Sequence, residues 1–158
     1  IHASAVVLGD AGILVRGASG SGKSTLVLDL LEDARRDGIA AALVGDDRVA
    51  LATEAGRLIA KAVPRLKGQV EVRGLGIVAV PAADQVPIRL VVDIGAEPAE
   101  RLPAPETRVT TVLGVTVARL YLCQREPRAA RLVRLALGLA APPAPVAPAS
   151  RAGAAGAE

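Results

Sequence analysis

Gly17-Ala18-Ser19-Gly20-Ser21-Gly22-Lys23-Ser24 follows the apolar run Ile13-Leu-Val-Arg16 and precedes a segment with helical periodicity. A Gly-rich loop of this form curls its backbone N–H groups inward onto phosphate oxygens, and the helix beginning at Gly22-Lys23 adds the positive end of its dipole. Lys23 is placed to reach the β- and γ-phosphates, and the Ser24 hydroxyl to meet Mg²⁺. Thr25 completes the expected nucleotide-binding stretch. Beyond it, Leu26, Leu30 and Ala34 share one helical face, Arg35 and Arg36 suit the helix C-terminus, and Gly38 suits the stop. Strand, Gly-rich loop and helix together read as a P-loop, a cradle for a nucleotide's phosphates with Mg²⁺.

Downstream, Ala41-Ala-Leu-Val-Gly-Asp46-Asp47 is an apolar strand ending in two carboxylates. A P-loop enzyme uses a carboxylate at the end of a neighbouring strand to hold Mg²⁺, and a kinase also needs an acceptor for the proton of the attacking hydroxyl. Asp46 and Asp47 could divide these jobs. Asp93, closing Leu90-Val-Val-Asp93, is a rival metal carboxylate. Glu71-Val-Arg-Gly-Leu-Gly76 fits either a bend where backbone approaches ligand or an empty β-bulge.

Two hairpins are expected, Val49–Thr53 with Arg57–Lys61 and Val109–Leu113 with Thr116–Leu122, while Gln69–Val72 and Ile77–Val80 flank a Gly-rich bend at Arg73-Gly-Leu-Gly76. Ile88–Val92 reads as a central strand, and 128–140 as a closing amphipathic helix. Arg125, Arg128, Arg131 and Arg134 recur every three residues there, as either a solvated face or a basic surface steering an acidic partner. One P-loop helix among hairpins predicts an α/β fold built on a mixed sheet, unlike the regular alternation of a small GTPase. Residues 141–158, nearly all Ala, Pro and Gly, are expected to be a disordered tail after a catalytic domain over 1–140.

Composition narrows the function. The 158 residues suit one domain. With one Tyr and no Phe or Trp, the core must be aliphatic. The net charge of +3 makes no case for nucleic acid. No apolar run is long enough to span a membrane. Cys123 is the single cysteine, which permits no intrachain disulfide and points to a reducing cytoplasm. The chain opens at Ile1 and contains no Met, which leaves room for a preceding segment. Neither the Asn-Lys-x-Asp run of a GTPase nor the Ser-Gly-Gly-Gln signature of an ABC ATPase occurs.

Taken in order, Ile1-His2-Ala3, Gly17–Ser24, Gly45-Asp46-Asp47-Arg48-Val49 and Glu71-Val-Arg-Gly-Leu-Gly-Ile77 resemble the C-terminal catalytic domain of HPr kinase/phosphorylase over residues 1–122. The resemblance implies a nucleotide-binding core like that of phosphoenolpyruvate carboxykinase. It also implies an ATP- and Mg²⁺-dependent protein-serine kinase acting on the phosphocarrier HPr or its nitrogen-branch relative. By position, Asp46 would take the serine proton, Lys23 would act on the phosphates, and His2 would sit near the acidic pair. Ser24, Asp47 and Glu71 would lie at the metal. Val112-Leu-Gly-Val-Thr-Val117 is a tight turn where long members carry a mobile basic loop, so the chain resembles the short form. Phosphorolysis and homo-oligomer formation stay open. Two competing readings also remain: a small-molecule P-loop kinase, with Arg101–Arg108 as its lid, and a non-catalytic nucleotide-binding module.

Overall fold

A computed structural model describes residues 1–140. The 141–158 segment, expected to be a disordered tail, lies outside the described residues. The chain forms β1 (Ser4–Leu8), β2 (Ala11–Gly17), α1 (Lys23–Arg36), β3 (Ala41–Gly45), β4 (Ala50–Glu54) and β5 (Arg57–Lys61). There follow β6 (Gln69–Val72), β7 (Gly76–Ala79), β8 (Gln85–Gly95), β9 (Val109–Val112), β10 (Val115–Cys123) and α2 (Ala129–Ala140).

The main sheet runs β3-β1-β2-β8-β10-β9, and the β4–β5 hairpin joins it through the start of β8. β2, β8 and β10 are parallel; β1, β3, β5 and β9 meet their neighbours antiparallel. This is the mixed, hairpin-rich α/β sheet expected from the sequence. Both expected hairpins form, and the runs flanking the Gly-rich bend pair as well, with β6–β7 a separate two-stranded ribbon. Ala55-Gly56 and Leu113-Gly114 make two-residue turns in which all four residues have positive φ, the geometry that matches strand twist.

The period-two alternation of the strands sorts the core into two layers. Val6, Ile13, Val15, Leu90, Val92 and Ile94 pack with Leu26, Val27, Leu30 and Ala34 of α1 and Val133 of α2. Ala5, Leu14, Val91, Leu58, Ala60, Ile88 and Val117 form a second cluster. Both layers are aliphatic, as the lack of large aromatic residues requires. Burial of Leu26, Val27, Leu30 and Ala34 realises the α1 face read from the sequence.

Three readings need correction. β1 was not anticipated: Ser4-Ala-Val-Val-Leu8 pairs with both β2 and β3. β8 extends well beyond Ile88–Val92, because its early residues pair with β5 and its later ones with β2 and β10. The four arginines do not share the last helix. Arg125 sits before it in a turn with φ 62, and Arg128 also precedes Ala129. Of the two on α2, Arg134 is paired with Asp37 at the end of α1.

Candidate functional site

Left-handed φ values at Gly20 (77°) and Gly22 (103°) curl the loop between β2 and α1, conformations that a side chain would strain. Gly17 is needed for a different reason: a Cβ there would lie 2.6 Å from Ser21 Oγ and 2.8 Å from the Ile94 carbonyl. Ala18, Ser19 and Gly20 are exposed along the loop's outer edge, as is Thr25, whereas Ser21 is buried beneath it. Lys23 is only 6% exposed. Its Nζ donates to the Gly17 and Ala18 carbonyls at 2.9 and 3.0 Å. These are uncharged partners, so the ammonium's charge is unneutralised within the loop.

β3 lies two strands from β2, across β1, and its end carries the acidic pair to the start of α1. Ser24 Oγ lies 3.0 and 2.9 Å from the two carboxylate oxygens of Asp46. A carboxylate can only accept, so the Ser24 proton points to Asp46 and the oxygen's lone pairs stay free for a cation. Hydroxyl, carboxylate and glycine-curled backbone therefore suit Mg²⁺ and a nucleotide's phosphates. The sequence reading missed Ser4, whose fully buried hydroxyl donates to Asp46 Oδ1 at 2.7 Å.

The two aspartates have opposite surroundings. Asp46 is 7% exposed and already holds two serine hydroxyls. Asp47 is exposed, with a left-handed φ of 65° and a side chain turned to His2, whose Nδ1 is 3.0 Å from Asp47 Oδ1. A protein hydroxyl could approach Asp47 more readily than Asp46, against the division of labour implied by position. His2, Asp47, Arg48, Val49, Ala50, Ile1 and Val63 line an open cavity of about 680 Å³.

Glu71 stands exposed on the β6–β7 ribbon, with no hydrogen bond or ion pair to the other site residues. Among the described residues no three His, Cys, Asp or Glu side chains gather into a metal cluster. Ser24, Asp47 and Glu71 share no hydrogen bond with one another; the Ser24 hydroxyl bonds Asp46 and the Asp47 carboxylate faces His2.

Asp93 is occupied elsewhere. Arg16 grips both its oxygens at 2.7 and 2.9 Å, and Arg119 Nε adds a third bond at 2.6 Å. Burial works to raise the Asp93 carboxyl, but hydrogen bonds and charge from Arg16 and Arg119 outweigh it and hold the group below its ordinary range. Cys123 is half-buried, with its sulfur facing the Ala96 carbonyl. None of the described helices is long and apolar enough to cross a membrane.

The pattern of the HPr Serine kinase C-terminal domain family matches residues 1–133. The HPr kinase/phosphorylase of Mycoplasma mycoides is 32% identical over 100 residues, covering 59% of this chain and 30% of its own. That of Clostridium tetani is 39% identical over 82 residues, covering 52% and 25%. That of Chlorobium phaeobacteroides is 33% identical over 133 residues, covering 77% and 39%. Each match thus spans less than half of the relative's length. The solved Hpr(Ser) kinase/phosphatase of Coxiella burnetii superposes with a TM-score of 0.69 at 25% identity, covering 88% of this chain and 93% of that one. The chain belongs to the HPr Serine kinase C-terminal domain family.

Proposed function

We propose that the chain is an ATP- and Mg²⁺-dependent kinase that phosphorylates a serine of HPr or of its nitrogen-branch relative in the cytoplasm. The observation that carries the reading is the contact of Ser24 Oγ with Asp46 beside buried Lys23, with the exposed Asp47–His2 pair following directly in the chain. Family membership adds the substrate class, since the relatives are named for HPr.

In this reading the loop 17–25 binds the triphosphate through its N–H groups, and Lys23 opposes charge on the β- and γ-oxygens. Mg²⁺ would neutralise phosphate charge when bound, held by Ser24, with Asp46 fixing the Ser24 proton. Glu71, exposed on its ribbon, remains a proposed ligand. Asp47 accepts the substrate serine's proton, and His2 orients its carboxylate. That assignment reverses the roles of Asp46 and Asp47 implied by position. It rests on exposure, because a general base must come within hydrogen-bond reach of a hydroxyl on another protein.

Incubation of the purified protein with labelled ATP, Mg²⁺ and HPr tests the function. Label on an HPr serine supports it; ATP binding without transfer to any phosphocarrier would sink it. Adding inorganic phosphate to the phosphorylated product tests the reverse reaction.

A further inference from the structure

We propose that Ser4 is a positioning residue for the metal: by pinning one oxygen of Asp46, its hydroxyl leaves the other to hold the Ser24 proton, which turns the Ser24 lone pairs toward Mg²⁺. The inference rests on the reading of the site given above and adds to it a residue from an unanticipated strand.

Asp46 receives two hydroxyls, and they compete. Ser24 Oγ lies almost equally far from both carboxylate oxygens, at 3.0 Å from Oδ1 and 2.9 Å from Oδ2. It has one proton and can donate it well to only one of them. Ser4 Oγ lies 2.7 Å from Oδ1 alone. Oδ1 keeps a second lone pair, but its charge is already engaged by the shorter bond from Ser4, so Oδ2 is the better acceptor for Ser24. Ser24 is thereby left with Oδ2, and its lone pairs acquire one orientation instead of two.

Ser4 can do this because it is rigid. It is fully buried and begins β1, a strand paired on both sides. The same oxygen lies 3.5 Å from the Asp47 amide nitrogen, at the limit of a hydrogen bond. One side chain thus touches both residues of the acidic pair. Metal sites depend on such outer contacts, whose removal typically costs ten- to a hundredfold in affinity.

The test compares wild type, Ser4→Ala and Ser4→Thr. Mn²⁺ is titrated into each protein saturated with ADP, following the free-ion signal by electron paramagnetic resonance. The Mg²⁺ dependence of transfer to HPr is measured in parallel, and circular dichroism gives the melting temperature. Ser4→Ala is expected to bind Mn²⁺ roughly tenfold more weakly. It should need correspondingly more Mg²⁺ for half-maximal rate and bind ADP as wild type does without metal. Ser4→Thr, which keeps the hydroxyl on a residue type suited to strands, is expected to restore most of the affinity.

Wild-type Mn²⁺ affinity in Ser4→Ala would overturn the inference, as would a natively melting Ser4→Thr no better than Ser4→Ala. If Ser4→Ala does not fold, Ser4→Cys, of similar shape with a weak donor, should fall between wild type and Asp46→Asn; equality with wild type would overturn the proposal. Wild-type protein that binds no Mn²⁺ with ADP would overturn this inference and the metal-site reading together. Normal wild-type binding with an indifferent Ser4→Ala would overturn only the role of Ser4.

Discussion

His2 Nδ1 lies 3.0 Å from Asp47 Oδ1, so the second residue of the chain meets the loop that follows β3. The left-handed backbone of Asp47, φ 65°, belongs to this arrangement. Asp and Asn are the non-glycine residues that most readily adopt it. Asp47→Asn should therefore preserve the loop and remove only the charge. Transfer to HPr is expected to fall by roughly 10²-fold or more, the usual scale for loss of a general base. ATP affinity, measured by calorimetry, should not change. Near-wild-type turnover in Asp47→Asn beside an inactive Asp46→Asn would return the proton acceptor to Asp46.

Lys23→Ala should abolish transfer and weaken ATP binding, because the ammonium is the one positive side chain inside the loop 17–24. Calorimetric titration with ATP decides the matter. Wild-type affinity together with wild-type turnover would refute the phosphate-binding assignment.

Gly17→Ala has a steric cost that no side-chain rotation relieves, since the added methyl meets the Ile94 backbone oxygen at 2.8 Å. Forced shifts of this kind cost about 1–3 kcal/mol. Both a lower melting temperature and weaker ATP binding are expected. Unchanged values for both would mean that the loop and β8 separate freely.

Asp93 supplies a dependence on pH. Its carboxyl is held low in the folded state, so its stabilisation is complete above the ordinary value of 3.8 and disappears as pH falls through the lower folded value. Asp93→Asn should destabilise the protein at pH 7 by about 1–2 kcal/mol, below the fully buried case because Arg16 and Arg119 are partly solvated. Denaturant melts at pH 7 and near pH 2.5 should show the difference between variant and wild type shrinking in acid. A constant difference would assign the effect to packing.

Local features were legible in the sequence, and distant pairings were not. The Gly-rich loop, the α1 face and the β4–β5 and β9–β10 hairpins each depend on spacing over a few residues, and each was found. β1 was missed although its signal exists: a short apolar run ending at Gly9-Asp10, directly before β2. Ser4 could not have been found this way, because its partner Asp46 is 42 positions distant and a buried serine in a strand has no mark of its own. Asp93 shows the converse. Its place at a strand end resembled a metal carboxylate, but the guanidinium that claims it comes from Arg16, 77 positions earlier. The separation of Asp46 from Asp47 by exposure is likewise a tertiary fact: adjacent residues of one type become different when the chain turns between them.

The pairing of β2 with β8 has a consequence for the order in which the protein acquires its shape. The strand that delivers the Gly-rich loop docks on residues near Ile94, which join the chain much later. The entropy lost on closing such a loop rises with its length, and contacts between remote segments slow folding. The helix and the local hairpins should therefore form first during refolding, with nucleotide affinity emerging in a later phase. On the ribosome, the loop's wall at Ile94 cannot be in place until β8 has left the exit tunnel. Until then, the sequence most diagnostic of this protein is a tether without a binding site.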